Sequence, residues 1–476
     1  MSELITKTNN VFYSYRKKLT GIAEPLTTEY GPISLPVKGV IPSDIAGSYC
    51  RNGPNQKFAP YSHHHLVDGH GMLHQFKFLD EKVIYTNRWI KTKIYLAEEK
   101  YQQGLVGSFI RPFNCSSKVK KLSSRERTKA NTNVIYVSGS WFAFEEGGIP
   151  YIINAADLST KGPASNLLSY KTTFTGHPKV DYVSGKTYCL NWNGEPEYEP
   201  CTLFILDKEG RCEKISNIKL PYRAFIHDFA ITEHYILIPI FPCVVDYELA
   251  KRNLNKGMFE WRPENGSYLI VLDKFTHKTV YQFDINVPYA MHTCNAFELG
   301  DNIYLDLVSH EKPPILLDEE HISDEVMICS QLTRISVNLR SQILLVTAMD
   351  DKSFLYNFPR IDDKKIGKEH RYIYSCLTQC KQRKSILYNE SLAVYDTYLN
   401  NKVMYSYGKN WFFNEPVFAE GNGQNYLMSI VSNPVVKKSK LLVFFENDIE
   451  HGPVAEISVP DMISYGFHGC WQGEVI

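Results

Sequence analysis

A polar turn followed at once by an apolar strand returns four times along this chain, and that repeat restricts the fold more than any other feature. Val134-Ile135-Tyr136-Val137 runs into Ser138-Gly139-Ser140 and then Trp141-Phe142-Ala143-Phe144. Val183-Ser184-Gly185-Lys186 precedes Thr187-Tyr188-Cys189-Leu190, and Thr232-Glu233-His234 precedes Tyr235-Ile236-Leu237-Ile238. A fourth copy is Gly300-Asp301-Asn302 before Ile303-Tyr304-Leu305. The first three recur about 47 residues apart, the period of one propeller blade. The repeat predicts an all-β chain of several four-stranded blades around a channel. A pair of β-sandwiches is the competing arrangement, because patterning identifies strands better than topology. The 31 Tyr and 25 Phe suit either, since aromatics pack well on a pleated surface. A length of 476 residues would ordinarily mean two or three domains, but closed repeats reach this size as one unit.

Charge is balanced, with 52 basic and 52 acidic residues, so no nucleic-acid or polyanion partner is expected. The 11 cysteines are scattered without a Cys-x-x-Cys pair; Cys376 and Cys380 come nearest. That usage fits buried thiols in a reducing compartment rather than a disulfide framework. Met1-Ser2-Glu3-Leu4 lacks the basic and apolar regions of a signal peptide. No run approaches the ~18–20 apolar residues that span a bilayer. A cytoplasmic location follows as the expectation, at most peripheral on a membrane. Leu96 to Gln103 is rich in helix formers and Gly104 follows it, so one short helix at most is expected. Cys115 to Lys129 is polar and basic and reads as an exposed loop or flexible segment.

Four of the 15 histidines sit in apolar strand contexts beside turn residues: His177, His227, His292 and His468. A lone histidine in such a setting is usually a satisfied core residue. These four lie 50, 65 and 176 residues apart, so no local metal motif joins them. A propeller could unite them, because every blade sends its innermost strand to the axis. Four neutral imidazoles suit iron, zinc, copper or nickel. Tetrahedral zinc with four protein ligands would have no open position, whereas six-coordinate iron would keep two. Ligand imidazoles need acceptors for their second N–H, and Glu146, Glu415 and Glu456 are the acids in apolar strands. The rival cluster His63-His64-His65 with His70 and His74 is a poor metal site, because successive strand residues face opposite ways.

The chain resembles the carotenoid cleavage oxygenases, which include apocarotenoid oxygenases, stilbene-cleaving dioxygenases and the vertebrate retinoid isomerase. The resemblance runs from about Tyr30 to Trp471. It is carried by Gly47-Ser48-Tyr49-Cys50-Arg51-Asn52-Gly53-Pro54-Asn55 and Asp68-Gly69-His70-Gly71-Met72-Leu73-His74. It is carried further by His177-Pro178-Lys179-Val180-Asp181, His227-Asp228-Phe229, His292 with Asn295-Ala296-Phe297-Glu298, and Phe467-His468-Gly469. It implies one domain over 1–476: a seven-bladed β-propeller capped by loops and short helices that form a substrate tunnel. It implies Fe(2+) on the four histidines and cleavage of a conjugated double bond by O2, with both oxygen atoms entering the products. Second-shell acids carry over to Glu146 and Glu415, and a threonine beside an open iron position carries over to Thr132. The third family acid falls on Asn357 in Tyr356-Asn357-Phe358-Pro359-Arg360. An amide oxygen still accepts an N–H there but brings no negative charge.

The Tyr and Lys with which stilbene-cleaving members hold a phenol align with Phe109 and Glu145. A lipophilic carotenoid or apocarotenoid is therefore the leading substrate, and a stilbene or phenylpropene the alternative. A propeller that binds a lipophilic ligand without catalysis is the third reading. Leu105, Val106, Phe109, Ile110 and Phe113, followed by Lys118, Lys120 and Lys121, form either a membrane-docking patch or a buried lid with solvated lysines.

Overall fold

A computed structural model describes residues 19–59, 61, 65, 67–108, 110–164, 174–192, 201–253, 257–314, 326–327, 329–380, 382–383 and 388–474. Seven sheets of four or six strands stand around one axis, with two small two-stranded sheets beside them. Five of the seven are antiparallel meanders whose strands follow one another in chain order. Their innermost strands are Asn133–Val137, Lys179–Asp181, Ala230–Ile231, Tyr289–Leu299 and Phe354–Arg360. The four repeated turns are the same turn in successive blades: each joins an innermost strand to the second strand. Ser138 (φ 50°) and Gly139 (φ 77°) both take positive φ, the two-residue hairpin turn whose twist matches its strands. The fourth copy comes late because its predecessor blade carries an insertion. That insertion pairs Cys243–Val245 with Phe259–Trp261 and holds a helix at Tyr247–Arg252.

The remaining two sheets close the ring. The C-terminal strand Gly469–Gly473 is the inner edge of a blade otherwise made from the N-terminal part of the chain, pairing with Gly47–Arg51. The N-terminal strand Val37–Gly39 is the outer edge of the preceding blade, pairing with Ala455–Val459. Ile33–Ser34 then edges the first of these blades through Lys82–Trp89. Residues 33–39 thus serve both sides of the seam. Apolar packing is mainly between blades: the largest cluster runs through three neighbours, from Tyr188 and Leu203 through Leu237 and Leu269 to Leu305 and Val337. Each such side chain contributes about 1.5–3 kcal/mol on burial.

Three expectations need correction. The helix at Lys93–Tyr101 begins on Thr92, whose side chain accepts from Tyr95 N (3.2 Å), and ends on Gln102 in the left-handed region rather than at Gly104. It is not alone: Tyr247–Arg252 is nucleated by Asp246, which accepts from Leu249 N (2.8 Å). Cys115 to Lys129 is not a loose loop. Ser116 and Ser123 start two short 3-10 turns, Ser117–Val119 and Ser124–Arg127, and Val119 is buried. Finally, Cys329 and Cys380 are joined by a disulfide, while nine cysteines are free thiols, and burial pushes the thiol pKa up in seven of those nine. No helix among the described residues is long and apolar enough to cross a membrane.

Candidate metal centre

The four histidines meet at the axis because each sits where an innermost strand begins. His177 lies two residues before Lys179–Asp181, His227 three before Ala230–Ile231, and His468 immediately before Gly469–Gly473. His292 lies inside Tyr289–Leu299, where the register shifts between Ala290 and Thr293; such an irregularity re-aims a side chain. The His177 ring centroid lies 4.4 Å from those of His227 and His468 and 5.1 Å from that of His292. His227 Nε2 lies 3.0 Å from His177 Nε2 and 3.3 Å from His292 Nε2. Two imidazoles bound to one ion at about 2.1 Å stand about 3.0 Å apart at a right angle and about 3.4 Å apart at the tetrahedral angle. Ligand atoms of His177, His292 and His468 also lie within 4.8 Å of one another.

Mutual hydrogen bonding cannot satisfy this cluster. His227 Nε2 faces two other Nε2 atoms and carries at most one proton. Burial and the neighbouring imidazoles hold His177 and His292 well below the usual imidazole range, so both are neutral with lone pairs available. A cation is the partner that satisfies converging lone pairs, and the donor set fits iron.

The outer contacts orient these rings. Glu415 Oε1 accepts from His468 Nδ1 (2.7 Å), and its Oε2 accepts from Gly469 N (2.8 Å) and Arg360 Nη1 (3.0 Å). Burial would raise the Glu415 carboxyl, but Arg360 and His468 outweigh it and hold the pKa below the usual value. Glu146 Oε1 accepts from Gly176 N, and its Oε2 accepts from Trp192 Nε1 (3.1 Å) and lies 3.5 Å from His227 Nδ1. Thr132 is buried, donates to Asn131 Oδ1 (3.2 Å), and its carbonyl accepts from His468 N (3.1 Å). Asn357 Nδ2 donates to Asn389 Oδ1 (2.7 Å), and Asn389 Nδ2 donates to the Phe413 carbonyl (3.0 Å). That relay fixes the Asn357 amide with its oxygen as the acceptor. Glu456 is not near the cluster. It lies on Ala455–Val459, the strand next to the outer edge at the ring seam, bound by Lys38 (2.8 Å) and Lys440 (2.6 Å).

Sequence reasoning missed two supports. Asp228 ties adjacent blades: it pairs with Lys179 Nζ (2.6 Å), and its Oδ2 accepts from Thr293 N and Oγ1 (both 2.8 Å). Thus one carboxylate links the strands carrying His177, His227 and His292; its position next to His227 was the available signal. Phe358 has φ 54° at a register shift between Asn357 and Arg360. Its ring is thereby turned to 5.5 Å from His468 and 6.1 Å from His292. Backbone strain of this sort clusters at functional sites; the adjacent Pro359 was its only trace in the sequence.

The histidines separate two cavities. The first lies along the axis and is lined by Lys179, Asp228, Arg360 and Asp363, with His177, His292 and His468. The second is mostly apolar, lined by Phe225, Met291, Phe358, Tyr465 and Phe467, with His227, His292 and His468. Glu145 also lines it, with Oε2 held by Thr128 Oγ1 and Lys129 N (both 2.5 Å); burial raises its carboxyl pKa. Phe109, His63 and His64 lie outside the described residues. His70 instead bonds Glu98 (2.7 Å), and His74 bonds the Tyr85 hydroxyl (2.8 Å), so these two do not converge on an ion. Leu105, Val106 and Ile110 are buried and Phe113 packs on the core, so these four side chains do not form an exposed apolar patch.

Residues 23–473 match the family model described as retinal pigment epithelial membrane protein. Isoeugenol monooxygenase of Pseudomonas nitroreducens is 30% identical, covering 95% of this chain and 97% of its own. Carotenoid 9,10(9′,10′)-cleavage dioxygenase 1 of Arabidopsis thaliana is 26% identical, covering 96% of this chain and 90% of its own. The crystal structure of Pseudomonas brassicacearum lignostilbene dioxygenase superposes with a TM-score of 0.86 at 24% identity, covering 96% of this chain and 98% of that one.

Proposed function

The chain belongs to the carotenoid cleavage oxygenase family, and from that premise we propose that it uses O2 to cleave a conjugated carbon–carbon double bond into two carbonyl products. The observation that carries this reading is the set of four converging histidine nitrogens at the floor of an apolar cavity. His177, His227, His292 and His468 are assigned as the ligands of Fe(II). Glu415 fixes the ring of His468, Glu146 lies 3.5 Å from His227 Nδ1 as its nearest acid, and Thr132 lines the same cavity. Bound iron supplies the activation of O2. The protein supplies the rest. Phe225, Met291, Phe358 and Phe467 exclude water and hold a flat apolar substrate against the histidines. His468 has its Nδ1 occupied by Glu415, so it orients the site and does not shuttle protons.

A carotenoid or apocarotenoid polyene suits the apolar lining. A phenylpropene or stilbene is the second reading. It is favoured by the 30% identity to isoeugenol monooxygenase of Pseudomonas nitroreducens over 95% of this chain and by polar side chains in the same cavity. Aerobic incubation with β-apocarotenals, isoeugenol and stilbenes, followed by product mass spectrometry, tests both. Repeating it under 18O2 should place one label in each carbonyl product. Label in only one product, with the other oxygen from water in freshly quenched samples, would refute the dioxygenase assignment. Recovery of no carbonyl product from any class by iron-loaded protein would refute cleavage itself.

A further inference from the structure

His310 is the last residue of the strand Asn302–His310 and is buried, with 7% of its surface exposed. It lines the apolar cavity that holds His227, His292 and His468, and it also lines a second cavity further out, with Pro288, Lys312 and Gln331. Among the described residues its ring nitrogens have no hydrogen-bond partner, and burial alone lowers its pKa, to about 4. The ring opens on both cavities without a protein partner among those residues, so it is available to a ligand that enters either. A neutral imidazole offers one donor and one acceptor, the pair that a hydroxyl group matches.

Position limits which hydroxyl. His310 stands opposite Tyr289 in the next strand, and His292 is three residues along that strand. The register shifts between Ala290 and Thr293, so the two positions lie within the about 10 Å that three regular strand residues would span, and both side chains enter one cavity. That spacing suits a single aromatic ring with its hydroxyl at His310 and its conjugated double bond at the histidine cluster. The end group of a polyene cleaved in mid-chain would lie beyond it.

We propose that His310 hydrogen-bonds the phenolic hydroxyl of an aryl alkene substrate and sets the protein's preference for such substrates. This rests on the second substrate reading above. The test compares isoeugenol, its O-methyl ether and a β-apocarotenal on wild type, His310→Leu and His310→Gln, with iron content and melting curves recorded for each. Wild type should turn over isoeugenol at a kcat/KM at least about 10-fold above its methyl ether. His310→Leu should lower kcat/KM for isoeugenol on the order of 10- to 100-fold while leaving the ether within about twofold. His310→Gln, which keeps a donor and an acceptor, should recover part of the loss, and it carries the comparison if the leucine variant fails to fold. Binding of 4-hydroxybenzaldehyde to the iron-free protein should weaken by the same order in His310→Leu, with 4-methoxybenzaldehyde unaffected. Equal losses on phenol and ether, or none on either, would overturn the assignment of His310 alone. If wild type cleaves the apocarotenal and neither aryl alkene, the aryl alkene reading fails and takes this proposal with it.

Discussion

Replacing Glu415 by Gln keeps its shape, yet three donors converge on this carboxylate: His468 Nδ1, Gly469 N and Arg360 Nη1. An ionised carboxylate accepts all three. An amide has one oxygen, and its NH2 must then face a donor. If the NH2 turns to Gly469 and Arg360, two buried donors lose their acceptor, at about 1–3 kcal/mol each. Arg360 keeps Asp363 (2.8 and 2.9 Å) and the Gly469 carbonyl (2.8 Å), which limits its share. If the NH2 turns to His468, the ring moves its proton to Nε2 and loses the lone pair that faces the cluster. The two outcomes are distinguishable. The first predicts a loss of about 3 kcal/mol in urea unfolding of iron-free protein, with iron affinity retained. The second predicts a smaller stability loss and a 10- to 100-fold drop in iron affinity, as for other second-shell partners. Iron titration against a competing chelator, beside urea melts of the same preparations, reads both. A Glu415→Gln protein within about 0.5 kcal/mol of wild type and with unchanged iron affinity would refute the donor count, and with it the role given to Glu415.

His292→Ala should leave the fold intact, reduce iron content several-fold and abolish turnover; full iron content with full activity would remove His292 from the centre. Glu456 gives a pH signature. Burial opposes its ionisation, but Lys38, Lys440 and Tyr407 outweigh this and hold the carboxyl at about 2. A depressed carboxyl stabilises the fold above its unfolded value, near 4.5, and that contribution fades as pH falls towards 2. Glu456→Gln should therefore cost about 1 kcal/mol at pH 7, after allowance for solvent screening. The gap from wild type should shrink between pH 4.5 and 3 in urea melts, and a pH-independent gap would count against this ion network.

Much of this architecture was legible because its determinants are local. The four turn-and-strand copies are hairpins closed by residues such as Ser138 and Gly139, and their chemistry is complete within a few positions. The histidines were legible through their neighbours: His177, His227 and His468 come just before an inner strand, and His292 lies near the start of one. What escaped depended on distant pairing. The donors to Asp228 and the relay from Asn357 through Asn389 to Phe413 join residues far apart in the chain. Nothing around Glu456 separates an acid at the hub from one at the rim, because an apolar strand surrounds both kinds. The helix at Tyr247–Arg252 was hidden by its shortness, although Asp246 is an ordinary start signal.

The seam stitched by residues 33–39 bears on the life of the metal. Releasing the C-terminal strand still leaves the neighbouring blade latched by Val37–Gly39, and releasing that latch leaves Gly47–Arg51 on Gly469–Gly473. The hub is therefore held by a hoop with two clasps, and no single fraying event opens it. Small metal-nucleated domains collapse when their ion is taken away; here the two clasps are strand pairs that contain none of the four histidines. Iron should accordingly leave and return through the polar axial cavity of a folded protein, so that a chelated sample is an empty vessel that can be refilled rather than a denatured one.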